Sequence, residues 1–495
     1  MAVRVIGATT LARDLGKWQD DGPAGRRRAA LPAYRALADS VRLLILDGRI
    51  PLGVALPSER DLAAVLELSR TTITSAYAVL REEGYLVSRQ GSRSTVALPD
   101  LVAGRAPVPP RAGFGEPAVG PPVDLTCAAM SAHVPEVRAA YAAALEALPA
   151  YLGGHGLEPT GLPVLREAVA ERYRRRGLPT DPEQIMITSG AQHALVLLLD
   201  VLAGPGERVL IDHPTYTNAI EAIKRAGARP VPVPLRLAER DWDLDGLRSS
   251  ARQTAAKLAY LVPDFHNPTG YCLDEPGRAR LVEIARETSM TLIIDETMSD
   301  LALDIEPPAP VAAFARGAGR AEVISVGSAS KSYWSGLRIG WIRAEPAMIS
   351  ALVAVRSALD LGTAVLEQLA AVSLLGAADR LLPERRAQLR RQRGALLDAV
   401  AAELPDWRCT PGSGGLALWM QLPTPMSTAL AATSPYHGVL LAAGPRFGLE
   451  GAFERYVRLP YARSEEELRT AVTGVAAAYR ALGGVVERDL PAMVV

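Results

Sequence analysis

The chain has 495 residues, of which 49% are hydrophobic and 22% charged, and its 54 basic side chains are balanced by 54 acidic ones. This length predicts two to four domains, and the composition is typical of a soluble globular protein with a large core. No apolar run approaches the about 18 residues of a membrane span, and the first residues lack the apolar core of a secretory signal. Three widely spaced cysteines exclude a disulfide framework and a cysteine metal motif, so we expect a cytoplasmic protein with no metal site and no membrane contact.

Charge and proline content divide the chain into segments. Residues 1–98 hold 14 Arg and Lys against 10 Asp and Glu, a net charge of +4, whereas the remainder holds 40 against 44. A stretch rich in proline and glycine, 99–123, predicts an extended linker. We therefore predict a head of residues 1–98, a linker of 99–123 and a body of 124–495. A basic head favours a polyanion as partner, although ordinary solvated surfaces carry similar charge.

The head contains three helical patterns followed by a hairpin pattern. Apolar residues recur at helical spacing over 32–50, 56–69 and 69–84, and Ser58 and Ser69 are suited to cap the second and third helices. Alternating residues about a Gln90–Gly91 turn predict a hairpin. This order predicts a winged helix-turn-helix. The residues expected to be buried on its helices are Leu37, Val41, Leu44, Ile45, Leu62, Val65, Leu66, Ile73, Ala76, Tyr77 and Leu80.

The third helix is predicted to place its start in the major groove of DNA, where side chains reach base edges and phosphates. A small helical domain with solvated arginines is the alternative. Residues 33–98 resemble the DNA-binding domain of GntR-type regulators, through LPSERDLA at 56–63 and SRTTITSAYAVLREEGYL at 69–86. The resemblance implies binding to double-stranded DNA. The candidate DNA contacts are Arg60, Ser69, Arg70, Thr71, Thr72 and Arg89.

The body alternates short apolar runs with helical patterns. QIMITSG, ERVLIDHP, KLAYLVP, TLIIDE and EVISVGS read as strands. The pattern predicts an α/β fold with a mostly parallel sheet that is buried on both faces. In such sheets ligands bind at the carboxyl ends of the strands.

Polar residues follow each of these strands, and each has an ordinary structural alternative. The Ser189-Gly190 turn before a helix could bind a phosphate or could simply form a tight turn. Tyr216 could stack on the ring of a ligand or pack in the core. The Asn267 amide could cap its loop, and the Asp295 carboxylate could cap the next turn. Ser328 and Ser330 could cap a helix, with Lys331 as an ordinary surface lysine. The candidate ligand residues are Gly190, Ala191, Gln192, Tyr216, Asn267, Asp295, Ser328, Ser330, Lys331 and Arg338.

Lys331 is one of only four lysines among the 54 basic residues of the chain. A lysine at the end of a buried strand can lose its proton and form a Schiff base, which a guanidinium cannot do. Together the candidates suit an aldehyde on lysine, a pyridinium on a carboxylate, a phenolic oxygen on an amide and a phosphate on a helix start. That combination predicts pyridoxal phosphate, with Lys331 as the catalytic lysine.

Residues 124–480 resemble the fold-type I aminotransferases, through motifs that include SGAQHAL, HNPTG, SASKSYWSGLRIGW and VRLPYA. The resemblance implies a smaller C-terminal α/β subdomain and a role for Arg458 in binding a substrate carboxylate. A surface arginine on a strand is the alternative for Arg458. One departure is that Thr297 and Met298 stand where the family usually places a tyrosine that bonds the phenolic oxygen. A second is that GGHGLEPTG, 153–161, lacks the family's aromatic, so the phosphate contact from a neighbouring subunit would fall to His155, Leu157 or Tyr151.

The whole chain resembles the MocR subfamily of bacterial transcriptional regulators, in which a GntR-like head is joined to an aminotransferase-like body. This implies a domain-swapped homodimer whose heads bind two half-sites of an operator. It also implies an amino acid or amine effector, which the body senses through the Lys331 aldimine. The alternatives are an active aminotransferase with an appended DNA-binding head and a sensor of pyridoxal phosphate itself.

Overall fold

The computed structural model describes residues 5–15, 32–46, 50, 54–87, 94–96, 122–315 and 321–483. Contacts divide the chain into two compact units, one holding the described residues of the head and the other nearly all of the body. The boundary at 98 falls outside the described residues, whereas the one at 123 falls within a short strand, Val123–Asp124, and both boundaries stay predictions.

The head consists of four helices and a short antiparallel hairpin. Its elements are α1 Ala8–Leu15, α2 Ala33–Leu46, α3 Glu59–Leu66, α4 Arg70–Glu82, β1 Leu86–Val87 and β2 Thr95–Val96. The three predicted helices are confirmed, whereas α1 was not predicted. Its Leu11 and Leu15 are buried in the core of the head. This packing stabilises α1, because a helix of only eight residues is not stable without tertiary contacts. The Gln90–Gly91 turn lies outside the described residues.

The predicted burial of Val65 is wrong. Val65 is 41% exposed and Leu66 only partly buried, whereas Leu62 and Ala63 lie in the core. At 3.6 residues per turn, the buried stripe of α3 is centred between Leu62, Ala63 and Leu66, and Val65 falls beyond its edge.

The body begins with β3 Val123–Asp124 and is built around an eight-stranded sheet. The strands of that sheet are β4 Ile185–Thr188, β5 Arg208–His213, β6 Arg229–Arg236, β7 Asp241–Trp242, β8 Leu258–Leu261, β9 Thr291–Asp295, β10 Val323–Ser328 and β11 Gly340–Arg343. Their order is β4-β11-β10-β9-β8-β5-β6-β7. The five strands from β10 to β6 are parallel, while β11 and β7 run antiparallel to their neighbours. The five strands predicted from the sequence are all in this sheet.

Helices cover the sheet, and a smaller sheet forms the C-terminal part of the body. The helices are α5 Val134–Ala147, α6 Pro163–Arg175, α7 Ala191–Leu202, α8 Thr217–Arg225, α9 Leu244–Thr254, α10 Glu275–Thr288, α11 Pro346–Arg356, α12 Val365–Gly376, α13 Ala378–Glu403, α14 Ser427–Thr433 and α15 Glu465–Ala481. The remaining strands are β12 Ala417–Gln421, β13 Val439–Leu440, β14 Ala442–Ala443 and β15 Tyr456–Pro460. Strands β12, β15 and β14 form an antiparallel sheet, and β13 pairs with β3. Among the described residues, no helix is long and apolar enough to cross a membrane.

Candidate functional site

Three of the predicted site residues meet at the carboxyl edge of the main sheet. Asp295 ends β9, Asn267 follows β8 and Lys331 follows β10, and these three strands are neighbours in the sheet. A cleft of about 390 Å³ opens there. The residues that line it are Cys127, Ala129, Ala191, Gln192, Leu195, Tyr216, Asn218, Tyr260, Val262, Asn267, Asp295, Thr297, Met298, Val326, Ser328, Ser330, Lys331, Ser335 and Arg338. The cleft therefore unites all the predicted cofactor residues except Gly190, which lies just behind Arg338.

Lys331 is half-buried, and its Nζ donates a hydrogen bond to the carbonyl oxygen of Ala128 at 2.7 Å. Burial lowers the pKa of Lys331 below its ordinary value, and the positive charges of Arg458 and Arg338 act in the same direction. A lowered pKa increases the fraction of neutral amine, the form that attacks a carbonyl carbon.

Both carboxylate oxygens of the buried Asp295 accept hydrogen bonds within the body. The Thr297 N–H donates to Oδ1 at 2.9 Å, and the Tyr260 hydroxyl donates to Oδ2 at 2.6 Å. Burial raises the pKa of Tyr260 well above its ordinary value, and the charge of Asp295 adds to that effect. Tyr260 was not predicted as a site residue. Its only sequence signal is a phenol in the otherwise apolar strand β8.

Gly190, Arg338 and Ser330 lie around one corner of the cleft. Gly190 has a φ of +100°, a backbone conformation that favours glycine, and a Cβ there would lie 2.5 Å from the Arg338 guanidinium in its present position. Helix α7 begins next, and its first N–H groups lack acceptors within the helix. The Ser330 hydroxyl is buried and has no partner among the described residues. Ser328 is less available, because its hydroxyl donates to the carbonyl of Ile339 at 3.1 Å.

Arg458 lies on β15 and contacts Asn267. Its guanidinium donates to Asn267 Oδ1 at 3.2 Å and to the carbonyl oxygen of Thr126, and it lies 4.8 Å from the centre of the Phe447 ring. Burial lowers the pKa of Arg458 to about 10, and its buried Nε has no partner in the described part of the chain. Arg458 is not among the residues that line the cleft, but it contacts Asn267, which is.

Tyr216 and Gln192 occupy the cleft beside Asn218. Asn218 donates to the Tyr216 hydroxyl at 2.9 Å, and the Gln192 amide donates to the carbonyl of Asn218 at 3.3 Å. The Gln192 Oε1 is buried without a partner among the described residues. This network holds both side chains at the cleft.

The two departures from the aminotransferase pattern have different outcomes. Thr297 and Met298 both line the cleft, so no tyrosine follows Asp295 there. Residues 151–157 do not line the cleft of their own chain, and their contact with the phosphate of a neighbouring subunit stays a prediction. Leu157 is exposed, and its N–H donates to the exposed His155 at 3.0 Å.

The donors of the cleft fit pyridoxal phosphate. The unpartnered Ser330 hydroxyl, Arg338 and the start of α7 suit a phosphate dianion, and the glycine at 190 leaves room for it. Asp295 suits a protonated ring nitrogen, and the half-buried Lys331 suits an aldehyde.

The candidate DNA contacts among the described residues lie at the starts of α3 and α4. Arg60 on α3 and Arg70 at the start of α4 are exposed, and neither has an ion-pair or hydrogen-bond partner within the described ranges. Ser69 caps α4 by accepting from the Thr72 N–H at 3.1 Å, and its hydroxyl also bonds Thr71 at 2.7 Å. Arg89 lies outside the described residues.

The chain matches two family models. Residues 131–475 match aminotransferase class I and II, and residues 33–96 match bacterial regulatory proteins, gntR family. The uncharacterized HTH-type transcriptional regulator YdcR of Escherichia coli is 29% identical over 447 residues, which cover 86% of this chain and 94% of that protein. The probable rhizopine catabolism regulatory protein MocR of Rhizobium meliloti is 32% identical, with coverage of 65% and 67%.

Enzymes are similar to the body alone. The 2-aminoadipate transaminase of Thermus thermophilus is 33% identical over 65% of this chain and 79% of that protein. Among solved structures, the α-aminoadipate aminotransferase LysN from Thermus thermophilus, complexed with N-(5'-phosphopyridoxyl)-L-leucine, superposes with a TM-score of 0.67 at 29% identity. It covers 74% of this chain and 94% of that one.

Proposed function

Because the chain belongs to the aminotransferase class I and II family and carries a GntR-type head, we propose that it is a transcriptional regulator that binds an amino acid or amine in the body. Binding in the cleft changes the affinity of the head for DNA. Such a change requires the effector to bind two states of the protein with different affinity. The observation that carries the proposal is that one chain holds both a helix-turn-helix, whose Arg60 and Arg70 side chains have no partner among the described residues, and a cleft with Lys331.

The cofactor is pyridoxal phosphate, which supplies a carbonyl carbon that bonds reversibly to a primary amine. We propose that Lys331 donates the amine of the resting protein and that Asp295 holds the ring nitrogen. Ser330, Arg338 and the start of α7 bind the phosphate. Arg458 binds the carboxylate of an amino acid effector, because its buried Nε lacks a partner among the described residues.

The missing tyrosine after Asp295 favours sensing over fast turnover. Thr297 donates its N–H to Asp295 and brings no phenol to the phenolic oxygen, which keeps Asn267 as its partner. An active aminotransferase is the second candidate, supported by the retained Lys331, Asp295 and Arg458 and by enzyme relatives such as the 2-aminoadipate transaminase. A sensor of the cofactor alone is the third.

One experiment separates these functions. The promoter beside the protein's own gene is footprinted with apo protein, with cofactor, and with cofactor plus candidate amines, while keto-acid formation is measured. We expect protection to change when an amine is added. Multiple turnovers without any effect on protection would sink the regulator proposal. A response to cofactor alone would favour the third function.

Replacement of Lys331 by alanine tests the site assignment. We expect Lys331→Ala to abolish the absorbance of protein-bound cofactor, because neither Lys224 nor Lys257, the other lysines among the described residues, lines the cleft. The matched control is Lys257→Ala, since Lys257 is exposed and bonds the carbonyl of Thr288. Absorbance that persists in Lys331→Ala would show the assignment to be wrong.

We also propose that two chains form a homodimer in the cytoplasm and that their heads bind two half-sites of one operator. The MocR-like organisation supports this assembly.

A further inference from the structure

A second cavity lies in the body and shares no lining residue with the cleft at Lys331. Its volume is about 380 Å³. It is bounded by the start of α5, by the residues that follow Lys331 and by α13. The side chains that bear on its chemistry are Glu136, Tyr333, Glu384, Arg385, Gln388 and Arg391.

Arg385 is a buried guanidinium without an ion pair. The residue is 7% exposed, and it donates to the carbonyl oxygens of Ser131 and Tyr333 at 3.2 Å each and to Gln388 Oε1 at 3.3 Å. Among the described residues, no carboxylate lies within ion-pair distance of it. A buried charge that has no counter-charge is costly, so an anion in this cavity would be stabilised.

Tyr333 provides an unused donor. The side chain is 3% exposed, and its hydroxyl has no hydrogen-bond partner within the described part of the chain. Burial raises the pKa of Tyr333, so the hydroxyl keeps its proton and can donate to an anion. Arg385 and Tyr333 thus line one cavity with donors that nothing in the described chain satisfies fully.

The acidic residues of the cavity restrict the ligand. Glu136 is engaged by His133 and by Arg380, whereas the exposed Glu384 has no partner in the described ranges. A dianion would be repelled by Glu384, while an ammonium group would be attracted. We propose that this cavity is a second binding site, for a small zwitterionic amino acid, with its carboxylate on Arg385 and Tyr333 and its ammonium toward Glu384. The site goes beyond the proposed function because it needs neither Lys331 nor a cofactor.

The backbone groups that Arg385 contacts lie close in sequence to Lys331 and its partner. Arg385 donates to the carbonyl of Ser131, three residues after Ala128, and to that of Tyr333, two residues after Lys331. On one side Ala128 accepts from Lys331 Nζ, and on the other Ser332 donates to Asp300 at 2.6 Å.

Calorimetric titration of the full-length Lys331→Ala protein tests the site without covalent chemistry at the cleft. Alanine, propionate and ethylamine are the probes, at matched ionic strength. We expect saturable binding of one alanine per chain, weaker binding of propionate and none of ethylamine. Absence of alanine binding, or equal binding of propionate, would overturn the proposal.

Variants in the Lys331→Ala background locate the binding. We expect Arg385→Gln to weaken alanine binding by roughly tenfold to a hundredfold and Tyr333→Phe by a few-fold, because a charged and a neutral donor are lost. Arg390→Gln is the matched control on the same helix, since Arg390 bonds the carbonyl of Leu303. Binding that is lost in Arg458→Gln and kept in Arg385→Gln would belong to the cleft and overturn the proposal. If the Arg385→Gln protein does not fold, the affinity of the Tyr333→Phe protein for alanine tests the proposal instead.

Discussion

At the scale of single residues, the bond from Tyr260 to Asp295 joins β8 to β9 at the centre of the candidate site. A carboxylate buried at the end of a strand is costly unless its oxygens accept hydrogen bonds. Tyr260 and the Thr297 N–H supply them. Asp295 is therefore held in one orientation, as an anchor for a ring nitrogen requires.

Removing this phenol tests the contribution of the bond. We expect Tyr260→Phe to lower the free energy of unfolding by about 1–3 kcal/mol, because a hydrogen bond to a charged group is lost in a buried place. Tyr271→Phe is the control, since Tyr271 donates only to the carbonyl of Leu237 at 3.1 Å and should cost about 1 kcal/mol. Urea denaturation of the apo protein measures both. A smaller loss for Tyr260→Phe than for Tyr271→Phe would contradict this account.

At the scale of elements, the start of α4 separates stability from DNA binding. Ser69 caps the helix, whereas Arg70 extends from its first position into solvent. We expect Ser69→Ala to destabilise the head by about 1 kcal/mol. Arg70→Ala should leave stability unchanged and weaken operator binding, measured by thermal unfolding and by mobility shift. Unchanged operator affinity in Arg70→Ala would argue against this end of the head as the DNA surface.

Asp212 links three strands of the main sheet. Asp212 lies in β5. Its carboxylate accepts a hydrogen bond at 2.8 Å from the N–H of Val262, which follows β8, and one at 2.9 Å from the indole of Trp242 in β7. Burial raises the pKa of Asp212 to about 7. The folded protein thus keeps a proton here that the unfolded chain releases above about pH 4.

This proton makes stability depend on pH. Because the folded state binds more protons between about pH 4 and 7, the contribution of Asp212 to stability falls as pH rises through that range. The neighbouring His266 acts oppositely, since burial lowers its pKa to about 3 and its contribution is lost as pH falls from about 6.5. Comparison with Asp212→Asn isolates the first effect. From pH 5 to 8 the variant should gain about 3 kcal/mol relative to the parent protein in urea denaturation; parallel curves would contradict this.

At the scale of the whole molecule, five leucines of the body are exposed on two segments that meet each other. They gather on two neighbouring segments, 145–157 and 359–361, which meet where Gly362 lies against Glu158. The exposed fractions are 57% for Leu145, 68% for Leu152, 48% for Leu157, 53% for Leu359 and 47% for Leu361. Apolar groups gathered at a surface are typical of a protein–protein interface, which suits the proposed homodimer.

Charged substitutions on this surface test the assembly. We expect Leu152→Asp with Leu157→Asp to convert a dimer into monomers, because a carboxylate is costly in an apolar interface. Light scattering after size-exclusion chromatography measures the mass. Val65→Asp is the control, since Val65 is an exposed apolar residue of the head. A parent protein with the mass of one chain would refute the dimer.

The sequence by itself determined the architecture and most of the candidate site. Parallel strands buried on both faces read as apolar runs, and their carboxyl ends share one edge. The sequence could therefore assign three residues to one cleft, because each follows a different apolar run that was predicted as a strand: Asn267, Asp295 and Lys331. The helix-turn-helix could also be predicted from the sequence, because helix caps and helical spacing are local signals.

Only the tertiary structure revealed Tyr260 and the cavity at Arg385. A strand buried on both faces has no alternation, so its pattern does not say which side chain faces a ligand. Helix α13 carries six arginines, and their spacing does not show that one is buried without a counter-charge. Burial and pairing depend on which distant segments pack against a side chain, and that is decided by the fold as a whole.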